Sequence, residues 1–339
     1  MPDTSSQIKS AVIGAGAWGT ALARVLGGNG HDVMMWSHDR VISDAINNEN
    51  ENTVLFSGIK LPTNVKATDD LAAAVQDRDL VLVVVASQFF RATIKNLVPH
   101  LGPNTILISA TKGLDRETRQ HPSQMLEELL PESMLDRFGI LSGPNIAREI
   151  AAEKPASTVI ASHNLYTARK AQRYFNSQYF RVYTNTDVVG TELGGTLKNI
   201  IAIAAGAIDS LGLGDNARSA MMVRAMVEII RFSTLHGARM ETMYGMAGMG
   251  DLITTCSSTM SRNHTVGRKL AEGKTLDQAL SEMTAVAEGI ETTRMIHEKA
   301  MKSGLDMPIT AQVYAVLFEN KPVKQAIVDI MSRELKSEY

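Results

Sequence analysis

Ser10-Ala11-Val12-Ile13-Gly14-Ala15-Gly16-Ala17-Trp18-Gly19-Thr20-Ala21-Leu22 decides the fold. A short apolar run leads into G-x-G-x-x-G, and an apolar helical stretch to about Leu26 follows. Alone the glycine pattern is weak, but between a strand and a helix near a second strand it has the context of a dinucleotide loop. In that reading Gly14 makes the tight turn, Gly16 lets the backbone approach a pyrophosphate, and Gly19 lets helix and strand pack closely. The helix N-terminus then offers N–H groups and a positive dipole end to the phosphates.

Working outward, short apolar runs alternate with helical stretches. Residues 31–36, 80–86, 105–109 and 139–142 read as strands, the run 80–86 being Leu- and Val-rich as in a strand covered on both faces. This alternation predicts a parallel, doubly wound Rossmann-type sheet. Residues 156–161 and 180–183 are β-rich and are expected to extend it. From Thr191 onward helical periods dominate, no proline occurs before Pro308, and residues 200–208 are apolar nearly all round, as in a core helix. The expected class is therefore α/β, with an NAD(P)-binding domain at 1–188 and an all-helical substrate and catalytic domain at 189–339.

Composition narrows the function. The 339 residues carry a net charge of −2, which argues against a nucleic-acid partner. One cysteine allows no intrachain disulfide, and the polar first ten residues do not read as a signal peptide. No apolar run is long enough to span a bilayer, so a cytoplasmic protein is expected. His121, His236 and His297 lack metal-ligand spacing, and no catalytic metal is expected. The 18 methionines read as core filling.

Cofactor choice turns on Trp36-Ser37-His38-Asp39-Arg40. Neither Ser37 nor His38 repels a 2′-phosphate and Arg40 attracts one, so NADP(H) is expected to be accepted, with NAD(H) left open because Asp39 can serve a ribose hydroxyl. Lys198, in Thr191-Glu192-Leu193-Gly194-Gly195-Thr196-Leu197-Lys198-Asn199, falls on the helix that reads as buried. A buried lysine is unusual unless paired, and burial suits it to proton transfer near neutrality. The alternative is a lysine that snorkels out from the helix end. Gly194, one turn earlier, is expected to leave room for a ligand. In Gly245-Met246-Ala247-Gly248-Met249-Gly250-Asp251, three glycines imply tight backbone beside a ligand or another helix, and Asp251 is placed to bind a hydroxyl or orient Lys198. Ser261-Arg262-Asn263 precedes a helix and combines a guanidinium fork with a capping residue, a plausible phosphate cradle that also fits an ordinary capped helix. Lys112, and Gly143 with Asn145, each follow a strand and so fall where open α/β sheets bind ligands; turn chemistry is the plainer explanation of both.

Taken in order, residues 13–22, 110–114, 142–149, 193–203, 245–256, 261–263 and 286–289 resemble the bacterial-type NAD(P)-dependent sn-glycerol-3-phosphate dehydrogenases over nearly the whole chain. The resemblance implies Lys198 as catalytic proton donor and acceptor. It implies Lys112, Gly143, Asn145, Asp251, Ser261, Arg262 and Asn263 around the substrate. It implies Gly14, Gly16, Ala17, Trp18, Gly19, His38, Lys112, Ala147, Arg262, Val286 and Glu288 around the dinucleotide. Asn145 stands where the family usually has Thr, and Ala17-Trp18 where Ser-Tyr is commoner. The implied reaction is hydride exchange between NAD(P)H and dihydroxyacetone phosphate, giving sn-glycerol 3-phosphate for phospholipid synthesis, in a homodimer. Rival readings are a related hydroxy-acid dehydrogenase, which needs a carboxylate pocket, and a non-catalytic NADP(H) sensor, which needs neither Lys198 nor Asp251.

Overall fold

The computed structural model describes residues 7–283, 287–335 and 337. It divides into two compact units, Met1–Glu192 and Leu193–Tyr339. The first is built on strands β1 (Lys9–Ile13), β2 (Asp32–Trp36), β3 (Val65–Thr68), β4 (Leu80–Val83), β5 (Ile106–Ser109), β6 (Phe138–Ser142), β7 (Ala156–Ala161) and β8 (Phe180–Asn185). Helices α1 (Ala17–Gly28), α2 (Arg40–Glu49), α3 (Leu71–Val75), α4 (Ser87–Leu97), α5 (Pro122–Leu129), α6 (Ala147–Ala151) and α7 (Leu165–Phe175) connect them.

The sheet order is β3-β2-β1-β4-β5-β6-β7-β8. From β1 the chain builds outward through β2 and β3, then restarts at β4 on the other side, so β1 and β4 flank the topological switch point. β6 and β7 pair antiparallel, the remaining neighbours parallel. The short link through α6 starts β7 at the sheet edge where β6 ended, so no crossover is made. β4, Leu-Val-Leu-Val, is wholly buried. Apolar clusters lie on both faces: Leu22, Leu26, Val33, Leu82 and Phe175 are in one, and Ile13, Val81, Phe90, Leu107 and Phe138 in the other.

One expected boundary is corrected, and one strand was not expected. β4 ends at Val83, not residue 86: the Val84 N–H to Ile13 carbonyl bond at 2.8 Å is the last rung to β1, which itself ends at Ile13. β3, Val-Lys-Ala-Thr, is too short and mixed to stand out in the sequence, and takes its place by pairing with β2.

The second unit is helical: α8 (Val188–Ser210), whose first turns lie before the division, α9 (Gly214–Leu235), α10 (Met240–Met243), α11 (Asp251–Ser257), α12 (Arg262–Ala271), α13 (Leu276–Ser281), α14 (Glu288–Lys302), α15 (Pro308–Phe318) and α16 (Val323–Met331). α8 and α12 touch backbone to backbone: a Cβ on Gly206 would lie 1.9 Å from the His264 carbonyl oxygen, and one on Gly267 1.8 Å from that of Ile203.

α15 begins behind Met307, which supplies no side-chain cap. Glu228 of α9, buried, accepts from the N–H groups of Ile309 (2.6 Å) and Thr310 (3.1 Å) and from the Thr310 hydroxyl (2.9 Å). Burial pushes its pKa up to about 7 while the three donors oppose a further rise. A carboxyl raised above its unfolded value binds more protons folded than unfolded, so its contribution is fully present below about 4.5 and is lost as pH rises through about 7. Between pH 5 and pH 8 the wild-type unfolding midpoint should therefore fall by a few degrees more than that of Glu228→Gln. Equal slopes in the two proteins would remove Glu228 as the source.

Candidate active site

β1 releases the chain at Gly14, whose φ of +117° and 2.7 Å spacing from a would-be Cβ to the Val84 carbonyl oxygen exclude a side chain. A Cβ on Gly19 would sit 2.0 Å from the Gly14 carbonyl oxygen, so loop and helix pack without space between them. Gly16 is different: a Cβ there meets nothing within 4 Å. It is the N-cap of α1 and makes no side-chain cap bond, so this helix start faces open space. The loop thus fits a dinucleotide pyrophosphate, as a backbone cradle with room above one glycine. Asn52, fully buried, fixes it from beneath: its Nδ2 donates to the Ala15 carbonyl (2.7 Å) and the Thr20 hydroxyl (2.9 Å). Nothing local in the sequence marks this role of Asn52: its two loop partners lie more than 30 positions away, and its near contact, from the Leu55 N–H at 3.0 Å, is an ordinary turn bond.

The other first-unit residues share this sheet edge. Ala17 and Trp18 pack with Phe56 and Ala147 in a small apolar cluster, which brings three residues expected at the dinucleotide together. Lys112 is half-buried in the turn after β5. Gly143 follows β6, and a Cβ there would lie 3.0 Å from Thr158 Cα. Asn145 is held at both ends of its amide: Nδ2 donates to the Ser157 carbonyl (3.0 Å) and Oδ1 accepts from the Thr158 hydroxyl (2.9 Å). His38 is exposed just beyond β2, its ring tilted against Trp36. Asp39 is the N-cap of α2, its Oδ1 accepting from the Val41 N–H at 2.9 Å. The exposed Arg40 lies 3.7 Å from Asp44 in a pair too solvated to hold it firmly.

In the second unit Lys198 is buried on α8, with 7% of its surface exposed, so it does not snorkel. Its Nζ donates to Asp251 Oδ1 and to the Thr255 hydroxyl, both at 2.6 Å. Asp251 and Thr255 stand one turn apart on α11, and Asp251 is 1% exposed. A carboxylate compensates the ammonium in the place where water cannot. Thr255 was not expected from the sequence; its i+4 spacing from Asp251 is the signal that carries it.

A π-helical turn, Met246–Gly250, delivers Asp251, with the Gly250 N–H reaching back to the Gly245 carbonyl. Gly194 does not leave room for a ligand: a Cβ there would lie 2.5 Å from the Ala247 carbonyl oxygen. Gly194 lets this turn lie against α8, and Gly248 lets it fold tightly on the Met243 carbonyl, where a Cβ would lie 2.1 Å away; together they set the height of Asp251 beside Lys198. Behind them the Cys256 thiol is buried, which raises its pKa to about 12 and keeps it a neutral, unreactive group.

Ser261 caps α12, its hydroxyl accepting from the His264 N–H at 3.3 Å. Arg262 opens the helix and is exposed, whereas Asn263 is buried, its Oδ1 accepting from the Gly289 N–H at 2.9 Å. Asn263 therefore joins the start of α12 to the start of α14, where Glu288 lies. Val286 lies outside the described residues.

Comparison with known proteins follows this geometry. Residues 9–168 match the sequence model for the N-terminus of NAD-dependent glycerol-3-phosphate dehydrogenase, and residues 187–328 match that for its C-terminus. The chain belongs to the NAD-dependent glycerol-3-phosphate dehydrogenase family. A glycerol-3-phosphate dehydrogenase (NAD(P)+) of Citrifermentans bemidjiense is 43% identical over 330 residues, covering 97% of this chain and 98% of that one. Among solved structures, glycerol-3-phosphate dehydrogenase from Coxiella burnetii superposes with a TM-score of 0.89 at 34% identity, over 96% of this chain and 99% of that one. The Saccharomyces cerevisiae glycerol-3-phosphate dehydrogenase gives 0.83 at 31%, over 97% and 100%.

As a member of this glycerol-3-phosphate dehydrogenase family, the chain is an NAD(P)-dependent oxidoreductase acting on a CH–OH group. The Rossmann-type first unit and the helical second unit are the expected architecture. No helix among the described residues is long and apolar enough to cross a membrane.

Proposed function

We propose that the chain interconverts dihydroxyacetone phosphate and sn-glycerol 3-phosphate, with residues 1–188 holding the dinucleotide and 189–339 the substrate. The observation that carries this is the buried Lys198, whose Nζ lies 2.6 Å from both Asp251 and the Thr255 hydroxyl, that hydroxyl in turn 3.3 Å from the carboxylate. NAD(P)H supplies the hydride that converts the ketone carbon to CH–O. Lys198, as an ammonium, steadies the negative charge that develops on the carbonyl oxygen and hands it a proton, closing the alcohol. Asp251 and Thr255 hold Nζ in one direction throughout. Arg262, Ser261 and Asn263 at the start of α12 bind the phosphate, so that the carbonyl is presented in register. Lys112, Gly143 and Asn145 complete the substrate's surroundings. Gly14, Gly16, Ala17, Trp18, Gly19, His38, Lys112, Ala147, Arg262, Val286 and Glu288 attend the dinucleotide.

Ser37 and His38, the first positions after β2, bring no negative charge against a 2′-phosphate, and the exposed Arg40 can attract one. This supports use of NADPH as well as NADH. The family likeness further supports a cytoplasmic homodimer that makes glycerol 3-phosphate for phospholipid synthesis.

The test is absorbance loss from NADPH, then from NADH, with dihydroxyacetone phosphate as substrate and unphosphorylated dihydroxyacetone as control. Oxidation is expected with the phosphorylated ketone and at least 100-fold slower without the phosphate, a difference matching roughly 3 kcal/mol of charged hydrogen bonding. Equal rates on both ketones would dismiss the phosphate cradle. No oxidation alongside tight NADPH binding would dismiss the substrate.

A further inference from the structure

The first turns of α12 and α14 are tied together by one side chain. α14 begins at Glu288 behind Ala287, whose methyl group cannot cap it. The oxygen that a capping residue would supply comes instead from Asn263, the second residue of α12. Its target, the N–H of Gly289, is the second in α14, one of the two amides an N-cap side chain serves. Gly289 is fitted to this contact: a Cβ there would lie 2.8 Å from Asn263 Oδ1 and 2.6 Å from the carbonyl oxygen of Asn199. Asn199 is the residue after Lys198, so three helices meet at one glycine.

We propose that Asn263 is a positioning residue with a divided amide. Its Oδ1 caps α14 in trans and so fixes the first turn of α14, which carries Glu288, to the first turn of α12, which carries Arg262; its Nδ2 is the group left to donate to an anionic oxygen. The proposal rests on the reading above, in which Arg262 and Glu288 attend the dinucleotide and residues 261–263 the substrate phosphate. A serine at 287 would cap α14 equally well but would leave it unlinked to α12. The trans cap makes the placement of one ligand's residues depend on the other's.

The experiment measures NADPH affinity by fluorescence titration without substrate, then KM and kcat for dihydroxyacetone phosphate, with a thermal unfolding midpoint for each variant. Asn263→Ala should weaken NADPH by about 5- to 10-fold, the loss of one cap, and raise KM as well. Adding Ala287→Ser restores a cap in cis, since Ala287 already has the extended backbone of an N-cap. The double variant should regain NADPH affinity to within about threefold of wild type, judged against that same cap energy, while KM stays high. Unchanged NADPH affinity in Asn263→Ala, or no recovery in the double variant, overturns the proposal. Should Asn263→Ala not fold, Asn263→Asp keeps the acceptor oxygen: it should hold NADPH and lose the substrate, and loss of both overturns the proposal. A recovery of NADPH affinity in a protein that reduces no dihydroxyacetone phosphate leaves the trans cap standing and removes only the substrate.

Discussion

Lys198→Met should lower kcat by roughly 10³- to 10⁴-fold, the combined scale of lost proton transfer and lost charge stabilisation, while leaving NADPH affinity within a few fold. It should also destabilise the protein, an effect that a purely catalytic view of Lys198 does not anticipate. Asp251 is 1% exposed, and its Oδ1 loses the counter-charge at 2.6 Å. Breaking a buried pair from one side costs about 3–5 kcal/mol, because the remaining charge is stranded away from water. The double variant Lys198→Met/Asp251→Asn removes that charge and should recover most of the lost stability with none of the activity. Stopped-flow single turnovers and denaturant unfolding of the two single variants and the double variant complete the cycle. Near-normal turnover in Lys198→Met would take the lysine out of the chemistry. A double variant no more stable than Lys198→Met would mean that the pair is not the unit that stores the energy.

The sequence made the first unit legible because its signals are local. A glycine loop between a strand and a helix, and Leu- and Val-rich runs at sheet spacing, each declare themselves within a dozen residues. The boundary of β4 was misjudged for the same reason: Val84 and its neighbours are apolar enough to continue a strand, but β1 ends at Ile13 and β5 at Ser109, so pairing stops. In the second unit Lys198 was legible as a polar residue on an apolar helix, and Asp251 as the acid after a glycine run. What stayed hidden is long-range capping. Glu228 caps α15, Asn263 caps α14, and Glu192 accepts from the Ser123 N–H (3.0 Å) and hydroxyl (2.7 Å) at the start of α5. Each is a buried polar side chain serving a helix start far along the chain. Local capping rules find no side-chain oxygen at Met307 or Ala287, and at α5 they find only the His121–Gln124 pair, not Glu192. Gly194 was misread similarly: a glycine before a lysine looks like space for a ligand until the backbone at 247–248 is seen against it.

The three loop glycines should separate folding from binding when each is replaced by alanine. Gly19→Ala places a methyl group 2.0 Å from the Gly14 carbonyl oxygen, backbone that cannot rotate away. α1 must then lift from β1, opening the core around Val12 and Leu22. The loss should reach about 3 kcal/mol or more, the upper range for overpacking. Gly14→Ala adds a left-handed φ of +117° to a 2.7 Å clash with Val84 and should be comparably damaging. Gly16→Ala differs in kind. Its φ of −69° suits alanine and its Cβ meets nothing within 4 Å, so stability should stay within about 1 kcal/mol of wild type, or rise slightly as the unfolded chain loses freedom. Its methyl group nevertheless enters the space that the phosphates need, and NADPH affinity should fall by at least about tenfold, or roughly 1.4 kcal/mol. Thermal unfolding should therefore single out Gly14→Ala and Gly19→Ala, and Gly16→Ala should be the one variant that folds as wild type yet binds NADPH poorly. If Gly16→Ala instead binds NADPH as wild type does, the open space above Gly16 is not where the pyrophosphate lies, and the loop's role shrinks to joining β1 to α1.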